Sequence, residues 1–316
     1  MTPLTESGLL TAVTVIMALM AVYLPVLGMV AALLWAVPVI LLVVRHGFRW
    51  GVMAVTVATV IMAVLIEPVL SLRMTISFAP TGLVLGYGFR AGWPAARVFV
   101  ATLGASVLAK IAAMALVFAM TSVNPMDLQM EGMRESFDTT FSLYESMGMS
   151  SSEIDAAKAQ VAKAMGLLGI LMPLILVLMG VMDTVLNYVI AVRVMRRLGI
   201  PVSRMPPFSE WRLPQGFIYL MGFALVGMYW GGTREIELLY GISLNANMLA
   251  LMAGLIQGIS LLVYVGNRYN VSRWMKGIVI LLIITNGFLL QLVAFTGLFD
   301  MAFDYRRRFG GANRDR

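Results

Sequence analysis

The chain contains no cysteine. Disulfides, thiolate-held zinc, iron–sulfur clusters and cysteine nucleophiles are therefore excluded. It contains one histidine, His46, so no multi-histidine metal site can form. Charge is scarce as well: only 12% of the 316 residues are Asp, Glu, Lys or Arg. A soluble domain carries about twice that fraction. A soluble enzyme and a disordered or fibrous chain are both excluded. No Walker A sequence, HExxH or GxSxG is present, so the chemistries that depend on those motifs are not expected. We expect no enzyme activity and no cofactor.

What is abundant is apolar sequence. Hydrophobic residues make up 60% of the chain and the mean hydropathy is +0.89. The apolar residues form blocks of about 20, the length that crosses a bilayer as a helix. We place crossings at 8–24, 27–45, 51–70, 74–90, 97–121, 165–193, 214–231, 245–266 and 277–299. The expected fold is all-α, a polytopic bundle of eight or nine membrane helices. Residues 1–195 form a six-crossing core with an external segment, 122–164. Residues 196–213, rich in proline, form a linker. Residues 214–316 add further crossings and a basic tail. The first residues hold Glu6 and no Lys or Arg, unlike the basic start of a secretory signal. The first block is read as a retained helix.

Basic residues orient the chain. Arg45, Arg49, Arg90, Arg97, Arg193, Arg196, Arg197, Arg204, Arg212, Arg268, Arg273 and Lys276 fall in loops on one side. That side is expected to be cytoplasmic, and the N-terminus with it. The net charge of +7 is then a membrane-topology signal, with no implication of nucleic-acid binding. Nine crossings would leave the tail, with Arg306, Arg307 and Arg308, outside. Asn286-Gly287 lies mid-block, and a break there would make a re-entrant pair and return the tail to the cytoplasm.

The external segment holds seven acids and three bases. Asn124-Pro125 reads as an N-cap followed by proline in the first turn. Met126, Met130, Met133, Phe137, Phe141 and Tyr144 then recur at helical spacing. Ser150 and Glu153 match a capping box for a second helix. Two amphipathic helices are expected, either anchored at the membrane surface or covering the bundle.

Charged side chains within hydrocarbon are costly and mark functional sites. Lys110 lies 13 residues from Arg97, and Asp183 lies 10 residues from Arg193. At 1.5 Å per residue both sit roughly 15–20 Å deep on consecutive antiparallel helices. Three roles stay open for them: a structural ion pair, the lining of a polar cavity that holds a solute, and proton coupling through Asp183. Asn187 and Tyr188 lie about one turn from Asp183, and Glu67 and Arg73 near the outer ends of their helices. These four are candidate rim contacts for a solute. Ala101, Ala105, Ala109 and Ala113 recur every fourth residue, a spacing that lets helix backbones approach. That stripe either packs within the bundle or docks another membrane subunit.

Several strings together resemble the YybS family of bacterial multi-pass membrane proteins. They are Tyr23-Leu24-Pro25-Val26-Leu27-Gly28, Arg45-His46-Gly47, the linker from Pro206-Pro207-Phe208 to Arg212-Leu213-Pro214, Gly297-Leu298-Phe299-Asp300, and Phe303-Asp304-Tyr305-Arg306. The resemblance spans nearly the whole chain. That family is remotely similar to the substrate-binding S components of energy-coupling-factor vitamin transporters. The resemblance implies a protein of the bacterial cytoplasmic membrane, with an S-component-like core in residues 1–195. It also implies an outward-opening cavity for a small vitamin-like solute and a membrane coupling subunit with an ATPase as partner. S components dock through an Ala-x-x-x-Ala motif on the first helix. Ala12, Ala18 and Ala21 do not form one here, which counts against that coupling. The different-class alternative is a ligand-free scaffold that organises other membrane proteins through its Ala-rich faces.

Overall fold

The computed structural model describes residues 2–307. The remaining basic tail, Arg308 included, lies outside them. Among the described residues the chain forms thirteen α-helices, one 3-10 turn and no strand. They divide into two compact units, one of Met1–Gly166 with Ile175–Met205, the other of Leu167–Leu174 with Pro206–Arg316.

The first unit holds α1 (Pro3–Tyr23), α2 (Pro25–Leu34), α3 (Ala36–His46), α4 (Phe48–Leu65), α5 (Pro68–Arg90), α6 (Ala95–Thr121), α7 (Pro125–Ser146), most of α8 (Ser151–Ile170) and most of α9 (Met172–Arg197). The expected second crossing is two helices that meet at Trp35, because Pro38 in the first turn of α3 has no N–H to continue the ladder of α2. Glu67 caps α5: its carboxylate accepts from the N–H groups of Val69 and Leu70 at 3.2 and 2.9 Å. Gly82 and Gly86 let α5 lie against Ala36, Ile40 and Val43 of α3. This close approach sets the position of Thr81, which carries part of the site described below.

The segment 122–164, expected to be external, lies in α7 and α8. Asn124 Oδ1 accepts from Met126 N–H at 3.1 Å. Ser150 and Glu153 bond reciprocally, Ser150 N–H to Glu153 Oε2 at 3.2 Å and Glu153 N–H to Ser150 Oγ at 3.4 Å. The Ser150 bonds hold the Glu153 carboxyl below its ordinary pKa. The expected sixth crossing begins later than its apolar block: residues 165–170 belong to α8, and the crossing is α9. The break between them follows from Pro173, which cannot donate. Asn245 of α11 takes both ends of the adjacent ladder bond. Its Nδ2 donates to Ile170 C=O at 2.7 Å, and its Oδ1 accepts from Leu174 N–H at 3.0 Å.

The second unit holds α10 (Gly216–Thr233), α11 (Glu237–Arg268), α12 (Arg273–Thr285) and α13 (Gly287–Phe303). Its centre is the α11–α13 crossing. A Cβ at Gly254, Gly258 or Gly297 would overlap the main chain of the facing helix. Gly254-x-x-x-Gly258 is thus a small-residue contact face. Gly258→Leu puts a branched side chain into backbone that cannot move aside, so the unit should lose roughly 1–3 kcal/mol or more. A lowered unfolding temperature and faster proteolysis of α11–α13 in detergent would show it. Leu at Gly277, which has open space around it, should be neutral.

The expected ninth crossing is not one straight helix. α12 and α13 are bent by 107° at Asn286. Asn286 has extended backbone, and its side chain caps α13 by accepting from Phe288 and Leu289 N–H. The end of α13 lies against residues 206–213: Arg306 Nη1 donates to Ser209 C=O at 2.6 Å. The described part of the tail therefore returns to the linker end of this unit. Among the described residues seven helices are long and apolar enough to cross a membrane, or eight if α12 and α13 make one bent span. α10 lies outside that set, because Tyr219, Tyr229 and Trp230 lower its hydropathy.

Candidate functional site

Three helices of the first unit bring hydroxyl, amide and charged groups to one buried point. Lys110 projects from α6 and Asp183 from α9, and Lys110 Nζ donates to Asp183 Oδ2 at 2.9 Å. Lys110 is 7% exposed and Asp183 2%. The same carboxylate oxygen accepts from Ser106 Oγ at 2.7 Å and from Thr81 Oγ1 at 2.9 Å. Lys110 Nζ also donates to Ser106 Oγ at 2.8 Å, and it lies 5.5 Å from the Phe78 ring centre. The other carboxylate oxygen accepts from Asn187 Nδ2 at 2.8 Å. Asn187 reaches it because residues four apart share a helix face.

The arrangement is electrically neutral and closed on itself. Burying the two charges costs several kcal/mol per ion unless partners satisfy them, and here Asp183 has four side-chain donors. Two buried polar atoms of α9, Asn187 Oδ1 and Thr184 Oγ1, have no partner among the described residues. Chemically, the cluster can hold a solute only by exchanging its internal bonds for bonds to that solute.

The structure leaves the other candidates apart from this point. Tyr188 follows Asn187 in sequence but points elsewhere, into a cluster with Phe89 and Phe99, with its hydroxyl donating to Ser203 C=O at 2.9 Å. Glu67 serves as the α5 cap and Arg73 is exposed nearly two turns later. Both lie near the start of α5, roughly 20 and 12 Å along the helix from Thr81. Ala109 and Ala113 are buried within the first unit, and Ala101 and Ala105 are half-buried. Ser106 and Thr81 are contacts that inspection of charged residues passes over. The legible signal for Ser106 is a hydroxyl one turn before a buried lysine. Thr81 carries no such signal, since its partner is 102 residues away.

A second buried ion pair, absent from the sequence reading, lies in the second unit. Arg306 Nε is 3.5 Å from Asp300 Oδ2, with both side chains almost fully enclosed. Arg306 also donates to Ser260 Oγ at 2.9 Å and lies over Tyr264. Gln257 Nε2 donates to Asp300 Oδ2 at 2.6 Å, and its Oε1 accepts from Leu213 N–H at 3.0 Å. Ser260 Oγ donates to Phe208 C=O at 2.6 Å. Arg212 and Asp304 close the outside at 2.8 Å. Burial pushes the Arg306 guanidinium below its ordinary pKa, and Asp300 opposes that shift. The group fastens the linker and the start of the tail to α11. At the start of the first unit a third cluster forms: Glu6 pairs with Arg45, and with His46 Nε2 at 2.8 Å.

The profile of a family described as a predicted membrane protein (DUF2232) matches residues 12–301. The chain is 22% identical over 305 residues to a Bacillus subtilis (strain 168) protein named "Uncharacterized protein YybS", across 96% of this chain and 97% of that one. No solved structure matches.

Proposed function

Because the chain belongs to the DUF2232 family of predicted membrane proteins, we propose a membrane role for it: binding of a small polar, vitamin-like solute within the first unit. The observation that carries this reading is the Lys110–Asp183 cluster. Ionisable groups at membrane depth are retained for function more often than for stability, since apolar side chains of similar volume hold a bundle together at least as well. The pair represents the closed form. On binding, Lys110 and Asp183 part, and each meets the solute. Asn187 orients it, and Ser106 and Thr81 keep Asp183 solvated. Binding makes and breaks no covalent bond, so the protein acts without catalysis.

The positive-inside bias of the basic loops supports a bacterial cytoplasmic membrane with the N-terminus inside. The solute then arrives from outside. Uptake would use this protein alone or with a membrane coupling subunit and its ATPase. A ligand-free scaffold is the second reading, favoured by the fact that the charged pair faces itself.

The absence of native cysteine makes the test direct. Ser106→Cys carries the only thiol of the chain. A membrane-impermeant maleimide added outside whole cells should label it, and medium containing the solute should slow that labelling. A thiol that reacts only after denaturation favours the scaffold.

A further inference from the structure

The external helices α7 and α8 carry a feature that is independent of the buried pair. Between them lies a cleft of about 300 Å³, at the low end of small-molecule pockets. Its floor is apolar: Phe141 and Met165 are buried and Phe137 is half-buried. Its edges carry Arg134 and Lys158, with Asp138 beside them. This distribution runs against the composition of the segment. Residues 122–164 hold seven acids and only three bases, yet two of the bases and one acid line the cleft. Among the described residues neither Arg134 nor Lys158 has a carboxylate within 4 Å. Lys158 Nζ instead stands 6.0 Å from the Phe141 ring centre.

We infer that this cleft binds an amphiphilic anion, a carboxylate or phosphate carried on an apolar body. The two cations meet the anionic head by charge-assisted hydrogen bonds. The phenyl rings and Met165 cover the body. A cation is disfavoured by the edge charges, and a purely apolar molecule leaves them unanswered. The chemistry is shared by free short-chain acids and by anionic phospholipid heads at the outer membrane surface.

The test uses the full-length protein in phosphatidylcholine nanodiscs and a diazirine analogue of octanoate, with adducts mapped by peptide mass. Adducts should fall on α7 and α8, and octanoate should compete with them while octanol does not. In Arg134→Gln/Lys158→Gln the yield should fall roughly tenfold or more, since each charge-assisted bond is worth about a factor of ten. Both residues are exposed, so the variant keeps its fold. Lys158→Gln alone should show an intermediate loss. Nanodiscs containing phosphatidylglycerol separate the two sources. Suppressed labelling there assigns the site to lipid, and unchanged labelling assigns it to the free acid. Cleft labelling that is equal in wild type and double variant overturns the inference, as does octanol competing as well as octanoate.

Discussion

Lys110→Met will destabilise the protein more than removal of both charges together. The single variant leaves the enclosed Asp183 carboxyl without its cation, with Thr81, Ser106 and Asn187 as its donors among the described residues. Breaking one partner of a buried pair costs about 3–5 kcal/mol, whereas replacing the whole pair with apolar groups of similar size is often neutral. We expect Lys110→Met to lower the unfolding temperature sharply in detergent, and Lys110→Met/Asp183→Leu to recover most of the loss. Asp183→Asn should fall between the two, because Lys110 then lacks an anion but keeps Ser106 Oγ as an acceptor. Thermal unfolding of the four proteins checks the order. If the double variant is the least stable, the pair is itself a source of stability and the functional reading loses its main support.

The second large effect is expected at Arg306. Arg306→Met removes the cation from Asp300 and also the donors to Ser209 C=O and Ser260 Oγ. Gln257 Nε2 and Tyr305 N–H remain on the carboxylate, but no positive charge does. A loss of about 3–5 kcal/mol follows on the same grounds, confined to the second unit. Arg212 offers a built-in reporter, because trypsin cleaves after it and residues 206–213 are held by this cluster. Cleavage there should be fast in Arg306→Met, and cleavage elsewhere unchanged. Arg306→Lys should recover only part of the protection, since an ammonium cannot present the guanidinium fork to several acceptors at once. Equal cleavage in wild type and Arg306→Met would show that the linker is held by other contacts.

The membrane class was legible from hydropathy alone, because the bilayer demands long apolar helices whatever their partners. Local signals were legible too. Asn124-Pro125 and the Ser150–Glu153 box cap the helices they suggest, since caps are decided within four residues. Lys110 and Asp183 could be paired by depth, because rise per residue is constant and charge in hydrocarbon is rare. The remaining members of that cluster were hidden by chemistry: serine and threonine hydroxyls in membrane helices usually bond back to their own helix. Thr102 does so, donating to Val98 C=O at 2.7 Å. Thr81 does not, and nothing local distinguishes the two.

The second unit was the least legible part. Asp300 and Arg306 read as the polar end of an apolar block and the start of a basic tail. Their burial depends on Gln257 and Ser260, more than 40 residues away. The sense of the last block turned on one side chain, Asn286, which caps α13 and so makes a bend from what hydropathy reads as a continuous span. Two strings of the family resemblance, the linker and the Asp300–Arg306 stretch, meet at this cluster.

If the Lys110–Asp183 cluster holds a solute, that solute should be seen by native mass spectrometry of protein released from membranes of its expression host. A discrete added mass is expected on wild type and should be missing from Lys110→Met/Asp183→Leu, while both proteins unfold at similar temperatures. The same mass on both proteins, or none on wild type after expression in rich medium, would contradict it.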